Sequence, residues 1–118
     1  MRKVKYGVST SYTNLNGNCY EVNAKYLLYE VKHSDAGNYR LCHGIVTNRV
    51  DGKAMGHCWI EKGNTVYDYS NGLDVKLSMK AYYDFGNIKK VYKYTADEVR
   101  KKLLEFEHWG AWDYDPPR

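Results

Sequence analysis

A short stretch in the middle of the chain, H-C-W-I-E-K-G-N-T-V-Y-D, restricts the possible folds more than any other. Gly63-Asn64 is a dipeptide typical of a two-residue turn between antiparallel strands. With that turn, Lys62 faces Thr65 and the register of a β-hairpin is fixed. The sequence therefore predicts a hairpin of two strands, about Met55 to Glu61 and Thr65 to Tyr69.

The register of this hairpin separates its side chains into two chemically different sets. Because side chains alternate along a strand, one face carries His57, Trp59 and Asp68. The opposite face is apolar and carries Cys58, Ile60, Tyr67 and Tyr69. His57 and Asp68 are diagonal neighbours, with backbones roughly 7–8 Å apart, which is close enough for their side chains to hydrogen-bond. The hairpin thus predicts a His–Asp pair beside an indole.

The remaining elements are predicted from periodicity and capping signals. A helix is predicted from Asn18 to about Lys32, with Asn18 and Glu21 as a capping box. Its predicted buried stripe has helical spacing and consists of Tyr20, Ala24, Leu27, Leu28 and Val31. Further predictions are strands Tyr39–Thr47 and Ile88–Tyr94, a short helix Ser78–Phe85 closed by Gly86, and a helix from Thr95 to about His108 closed by Gly110. Residues 1–17 are expected to form a short strand and a loop. The order predicts one α+β domain over residues 1–118, with helices packed on an antiparallel sheet.

Composition limits the cellular setting and the classes of partner. The chain has 118 residues, three cysteines and a net charge of +4. We find no signal peptide and no apolar run long enough to span a membrane. An odd number of cysteines without a C-x-x-C unit favours reduced thiols and a cytoplasmic protein. The mild basic charge falls short of a nucleic-acid-binding signature, so we expect no membrane association and no dominant nucleic-acid role.

Cys19 is predicted to lie at the first position of the first helix. Free backbone N–H groups and the positive end of the helix dipole favour a thiolate there, and they can also bind an oxyanion. The alternative is a small buried side chain with no chemistry. Position alone does not decide between the two.

A thiolate nucleophile needs an imidazole, and that imidazole needs an orienting partner. His33 and His108 are predicted at helix ends, where a histidine more often interacts with the helix dipole. His43 and His57 are predicted on strands. The predicted contact with Asp68 favours His57 as the base, although His43 stays open as the histidine that faces the thiol.

Metal binding is the competing use of these residues. Cys42-His43 and His57-Cys58 supply four possible ligands, but neighbours in a strand point to opposite faces, so at most one of each pair can reach a common ion. Cys42 and Cys58 are therefore interpreted as small buried side chains, and no metal or other cofactor is predicted.

Three residues follow one another in a known order: Cys19 in N-C-Y, His57 in G-H-C-W-I-E and Asp68 in V-Y-D. This order and its structural context resemble those of the papain-like and transglutaminase-like cysteine enzymes. The resemblance covers about residues 16 to 70. The H-x-W-x-E and V-Y-D pattern is most similar to the transglutaminase-like branch, in particular to small microbial or phage-encoded members. The resemblance implies a papain-like core in which a helix bearing the cysteine packs on the sheet, followed by a C-terminal helix.

The resemblance also implies an activity. Cys19, His57 and Asp68 would form a catalytic triad acting on an amide or on a peptide of a protein substrate, as a peptidase, amidase, deamidase or transglutaminase. Papain-type enzymes carry an oxyanion-hole glutamine shortly before the cysteine, where this chain has Thr13. Asn14, Asn16 or Asn18 could replace it, and Trp59 is expected to shield the His–Asp pair. A phage-encoded member would act in the cytoplasm of its host.

Two other functions are consistent with the sequence. The first is a catalytically silent protein of the same fold that binds a host protein, because the chain is short and has no visible substrate domain. The second is a nucleic-acid-binding domain, suggested by the tyrosines and lysines between Tyr82 and Tyr94. An edge strand with solvated lysines is the simpler explanation of that segment. Trp109 and Trp112 are predicted to fold back onto the sheet.

Overall fold

The computed structural model describes residues 18–72 and 74–117. The predictions for residues 1–17, among them Asn14 and Asn16, lie outside this part of the chain, as does the side chain of Asn18. The described chain contains helix α1 (Asn18–Lys25), continued by a π-helical turn (Tyr26–Glu30), then strands β1 (Tyr39–Thr47), β2 (Ala54–Lys62), β3 (Thr65–Asp68) and β4 (Val75–Ser78), helix α2 (Met79–Gly86), strand β5 (Lys89–Tyr94) and helix α3 (Ala96–Phe106). Short 3-10 turns, His33–Asn38 and Ser70–Gly72, precede β1 and β4.

The five strands form one antiparallel sheet in the order β4-β3-β2-β1-β5. The hairpin pairs Lys62 with Thr65 and Ile60 with Tyr67, as its turn predicted. Gly63 has a φ of 60°, a backbone conformation that glycine adopts without the steric penalty other residues incur. The sequence therefore contained enough information to place this hairpin and its register.

The two faces of the sheet are covered by different helices. On one face, α1 and α3 pack on a core that includes Leu41, Cys58, Ile60 and Tyr94. On the other face, α2 packs through Met79, Tyr82 and Tyr83 on Cys42, Trp59 and Val66. The α+β architecture, with an antiparallel sheet and helices on it, is as predicted.

Several details differ from the sequence-based predictions. Strand β4 was not predicted, because its four residues are mostly exposed and carry no clear alternation. Glu21 pairs with Lys25 at 2.5 Å, and the cap predicted for Asn18 involves a side chain outside the described part of the chain. In the predicted buried stripe, Leu28 and Val31 are only half-buried.

The helix ends also differ slightly. The last helix begins at the predicted capping box of Thr95 and Glu98. It ends two residues earlier than predicted, because Glu107 adopts the left-handed conformation that Gly110 was expected to supply. Likewise Asn87, and not Gly86, closes α2.

The segment after α3 folds back onto the sheet, as predicted. Trp112 is buried against the rings of Tyr94 and His43. Tyr114 stacks on Tyr92, with ring centroids 5.4 Å apart. The segment after α3 therefore covers the β5 side of the sheet and packs its aromatic rings there. Within residues 18–72 and 74–117, every helix is too short or too polar to cross a membrane.

Candidate active site

Strands β2 and β3 bring His57 and Asp68 into direct contact. Nε2 of His57 lies 2.8 Å from Oδ2 of Asp68, and the side chains are 21% and 9% exposed. The contact predicted from the hairpin parity is therefore present. A carboxylate bonded to one ring nitrogen fixes the orientation and the tautomer of the imidazole, which leaves the other nitrogen, Nδ1, free for a reacting group.

The Asp68 carboxylate is almost enclosed by donors. Oδ1 accepts from the backbone N–H and the hydroxyl of Ser70, at 3.0 and 2.7 Å, and from Nδ2 of Asn23 at 3.2 Å. Oδ2 accepts from the Tyr82 hydroxyl at 2.8 Å in addition to His57. Burial alone would raise the pKa of Asp68, but the hydrogen bond and charge of His57 and the bonds from Ser70 outweigh it, so the pKa lies below its usual range.

The His57 ring is correspondingly stabilised as a cation. Burial opposes the charge, but the bond to Asp68 and the neighbouring Cys19 thiol raise the pKa of His57 to about 10. At neutral pH the pair is therefore an imidazolium and a carboxylate. An imidazolium next to a thiol is the partner that a thiolate requires.

Cys19 lies in the first turn of α1 and is only 3% exposed. Its thiol interacts electrostatically with His57 and lines the same cleft. Because the β2–β3 ladder ends at Ile60 and Tyr67, the segment of β2 that carries His57 is not paired with β3. The start of α1 reaches the imidazole through this opening.

The Asn23 side chain lies between β2 and the residues that follow β3, just beyond the last ladder pair, Ile60 and Tyr67. Its Nδ2 lies 3.0 Å from the Cys58 carbonyl oxygen, and its Oδ1 accepts from the Tyr69 backbone N–H at 3.0 Å. Cys58 and Tyr69 would face each other if the ladder continued, so the amide replaces their backbone hydrogen bonds. Nδ2 also lies 3.0 Å from the Cys19 carbonyl oxygen. One fully buried side chain thus joins the helix of the thiol to the hairpin of the His–Asp pair.

A cleft of about 590 Å³ opens at Cys19, His57 and Asp68. Its volume is within the range of small-molecule and peptide side-chain pockets. Most of its remaining wall is apolar and is formed by Val46, Met55, Tyr82, Phe85 and Ile88. The thiol and the imidazole therefore line a cleft whose remaining wall is mostly apolar.

Trp59 lies behind the His57 ring and not in the cleft. It is fully buried, and its ring lies 6.2 Å from that of His57 with an angle of 24° between the planes. This placement suits the shielding role proposed for Trp59 in the sequence analysis. The oxyanion candidates Asn14 and Asn16 and the side chain of Asn18 are outside the described part of the chain.

His43 is on the opposite face of the sheet from His57. Its ring is enclosed by Tyr20, Tyr94 and Trp112, with centroids 4.8 to 5.0 Å away. Neither ring nitrogen has a hydrogen-bond partner among the residues described. Burial, opposed only weakly by the charge of Asp113, lowers the pKa of His43 to about 3. The alternative of His43 as the histidine at the thiol is thus not supported.

We expect His43 to make the fold sensitive to acid. The unfolded chain takes up a proton at the ordinary histidine pKa of about 6.5, whereas the folded chain resists protonation until about pH 3. Stability is therefore lost as the pH falls below 6.5, by about 2 kcal/mol at pH 5. Urea unfolding at pH 8 and pH 5 should show the wild type losing that amount relative to His43→Leu. A difference that is the same at both pH values would contradict this assignment.

Cys42 and Cys58 are fully buried and unlinked. Burial raises the pKa of both thiols well above the usual value. They are small core side chains, as predicted. No cluster of three or more ligand residues suited to a metal ion occurs in residues 18–72 and 74–117.

Comparison with protein-family models, with curated proteins and with solved structures finds no match. The interpretation of the site therefore depends on its own geometry.

Sequence reasoning missed three buried polar residues, Asn23, Ser70 and Glu61, and the half-buried Tyr82. Ser70 had a local signal, because a serine two residues after an aspartate often bonds its carboxylate. Asn23 follows Cys19 by one helical turn, so its position on the same helix face was visible. Tyr82 was seen only as a possible base-stacking residue, and its hydroxyl is instead used by Asp68.

Proposed function

We propose that this protein is a cysteine-dependent acyl-transfer enzyme that acts on amide or peptide bonds and uses Cys19, His57 and Asp68. The proposal is supported above all by the position of the Cys19 thiol at a helix start, beside an imidazole whose Nε2 is bonded to Asp68 at 2.8 Å. The same order of residues in the sequence underlies the resemblance to papain-like and transglutaminase-like enzymes.

The reaction follows from these positions. The Cys19 thiolate attacks the amide carbonyl, and backbone N–H groups of the first turn of α1 stabilise the oxyanion, a contribution of typically 10²–10³ in rate for each donor. His57 then donates its proton to the leaving amine while the C–N bond breaks, which yields a thioester on Cys19. Finally His57 takes a proton from the incoming water or amine, whose attack releases the acyl group and restores the thiolate.

The apolar wall of the cleft bears on the substrate. Val46, Met55, Phe85 and Ile88 can receive an apolar group next to the reacting carbonyl, and they also limit access of bulk water. A peptide or an amide-bearing protein segment with such a side chain is the substrate class that fits. Water as acceptor gives a peptidase, amidase or deamidase, and an amine gives a transglutaminase.

Alkylation by iodoacetamide, read by peptide mass spectrometry, tests the proposal. We expect Cys19 to react well below pH 8, because the imidazolium stabilises its thiolate, and to lose this reactivity in His57→Ala. Cys42 and Cys58 serve as internal controls, since both are fully buried. Turnover of an amide or peptide panel should disappear in Cys19→Ala.

The 3% exposure of Cys19 favours one alternative, a silent scaffold that acts by binding a protein partner. Three equally slow thiols, together with no turnover on the panel, would support that alternative and reject the enzyme. For a nucleic-acid-binding domain, the tyrosines of α2 are poorly placed, because Tyr82 and Tyr83 donate their hydroxyl groups to buried carboxylates.

A further inference from the structure

Glu61 is a buried carboxylate on the face of the sheet that carries His57. It is only 4% exposed. Oε2 accepts from Nε1 of Trp59 at 2.9 Å and from the Tyr83 hydroxyl at 2.5 Å, while Oε1 pairs with Nζ of Lys93 at 2.8 Å. Burial would raise the pKa of Glu61, but these three partners hold it below its usual range. Glu61 is therefore a buried carboxylate that stays ionised at neutral pH.

The first connection from Glu61 runs through Trp59 to His57. The Trp59 ring lies beside the His57 ring, with centroids 6.2 Å apart and planes 24° apart. It has little freedom, because a Cβ at Gly44 would come within 2.7 Å of its Cη2 atom. Its single polar atom is bonded to Glu61. The carboxylate thus fixes the rotation of the indole that closes off the imidazole.

The second connection runs through α2 to Asp68. Tyr83 donates to Glu61, and its neighbour Tyr82 donates to Oδ2 of Asp68 at 2.8 Å. The rings of both tyrosines also contact Trp59, with centroids 5.5 and 6.0 Å away. Glu61 is therefore linked to both members of the His–Asp pair, to His57 through Trp59 and to Asp68 through helix α2.

We propose that Glu61 is a positioning residue of the site: by holding Trp59 and helix α2 in place, it keeps water away from the hydrogen bond between His57 and Asp68. The inference rests on the proposed function, because it assigns Glu61 a role at the same site. A purely structural role would give only a loss of stability when Glu61 is changed. A positioning role also changes the proton affinity of His57.

The test is an NMR titration of the His57 ring nitrogens in the full chain. The titratable groups around His57 are Asp68 on β3, Cys19 on α1, Tyr82 on α2 and Tyr114 after α3, and all are retained in the variants. In Glu61→Gln we expect the pKa of His57 to fall by about one unit, a tenfold loss of proton affinity, because weakening of the Asp68 bond that raises this pKa outweighs the relief of burial that lowers it. Glu98→Gln is the matched control, since it removes the same charge from the capping box of α3, where the glutamine oxygen can still accept from Thr95, and it leaves the site untouched.

Trp59→Phe separates position from charge. It keeps the negative charge of Glu61 but removes the indole N–H bond, so a positioning role predicts a similar fall in the pKa of His57. A fall in Glu61→Gln alone would show a direct effect of charge and would overturn the proposal. Lowered melting temperature with an unchanged His57 titration in both variants would overturn it too.

This readout does not depend on turnover. If Cys19 proves unreactive, the proposed function fails while the titration of His57 still decides the role of Glu61. If Cys19 is reactive and His57 titrates as in the wild type in both variants, only the inference about Glu61 fails.

Discussion

Replacing Asp68 by alanine is expected to lower the alkylation rate of Cys19 at pH 7.5 at least about tenfold. Without the carboxylate, His57 loses the hydrogen bond that raises its pKa most, while burial still lowers that pKa and only the Cys19 thiol still raises it, so a much smaller fraction of the imidazole is protonated at pH 7.5. The thiolate then loses its cationic partner. Rates for wild type, Asp68→Ala and Asp68→Asn would be measured with the same iodoacetamide assay.

The asparagine variant separates orientation from charge. Asp68→Asn retains a carbonyl oxygen that can accept from His57 and Ser70, but it carries no charge. If the carboxylate acts mainly by orienting the ring, Asp68→Asn should keep most of the wild-type rate at pH 6. If it acts by stabilising the imidazolium, both variants should fall together at pH 7.5. Wild-type rates in both variants would show that Cys19 does not depend on this pair.

The His57–Asp68 pair also predicts how the difference in stability between the wild type and Asp68→Ala depends on pH. Asp68 has a lowered pKa, so its contribution is present above the unfolded value of about 3.8 and disappears as the pH falls through the folded value. His57 has a raised pKa, so its contribution is complete below about 6.5 and disappears as the pH rises toward about 10. The destabilisation by Asp68→Ala, about 3–5 kcal/mol for a broken buried pair, should be largest between pH 4 and 6.5. Urea unfolding at pH 5.5 and pH 9 measures it.

The hairpin and the site show which parts of the structure are encoded locally. Gly63-Asn64 determines the turn, the turn determines the register, and alternation then places His57 and Asp68 on one face. Thr95 and Glu98 likewise form the predicted capping box of α3. In each case the residues that determine the turn or the cap lie within a few positions of it, so the local sequence is sufficient to predict it.

The parts that could not be predicted depend on contacts between distant segments. The hairpin stops pairing after Ile60 and Tyr67 because a side chain from α1 enters it, and nothing near the hairpin reveals this. From the sequence alone, Glu61 would be predicted as an exposed strand residue. Its burial depends on contacts with Lys93 and Tyr83, which are distant in the sequence. Strand β4 exists because β3 provides an edge for it to pair with, and its own four residues carry no clear signal.

Asn23 is a residue for which this long-range organisation predicts a large loss of stability. Replacing it by alanine leaves the Tyr69 N–H and the Cys58 carbonyl without the partner that substitutes for their ladder bonds. An unsatisfied buried polar group costs about 1–3 kcal/mol, so we expect Asn23→Ala to lower the free energy of unfolding by about 4 kcal/mol. Asn38→Ala is the matched control, because the Asn38 amide bonds Asp35 at the surface, where substitutions usually change stability by about 0.5 kcal/mol or less.

A second substitution tests the direction of the hydrogen bonds. Nδ2 of Asn23 donates to the carbonyl oxygens of Cys19 and Cys58 and to Oδ1 of Asp68. Asn23→Asp has nearly the same shape but brings a carboxylate toward these acceptors, so it should destabilise at pH 7 at least as much as Asn23→Ala. Because the amide also positions the start of α1, both variants should slow the alkylation of Cys19 at pH 6 in whatever fraction remains folded. Unfolding free energies equal to that of Asn38→Ala would show that the amide does not hold the helix and the hairpin together.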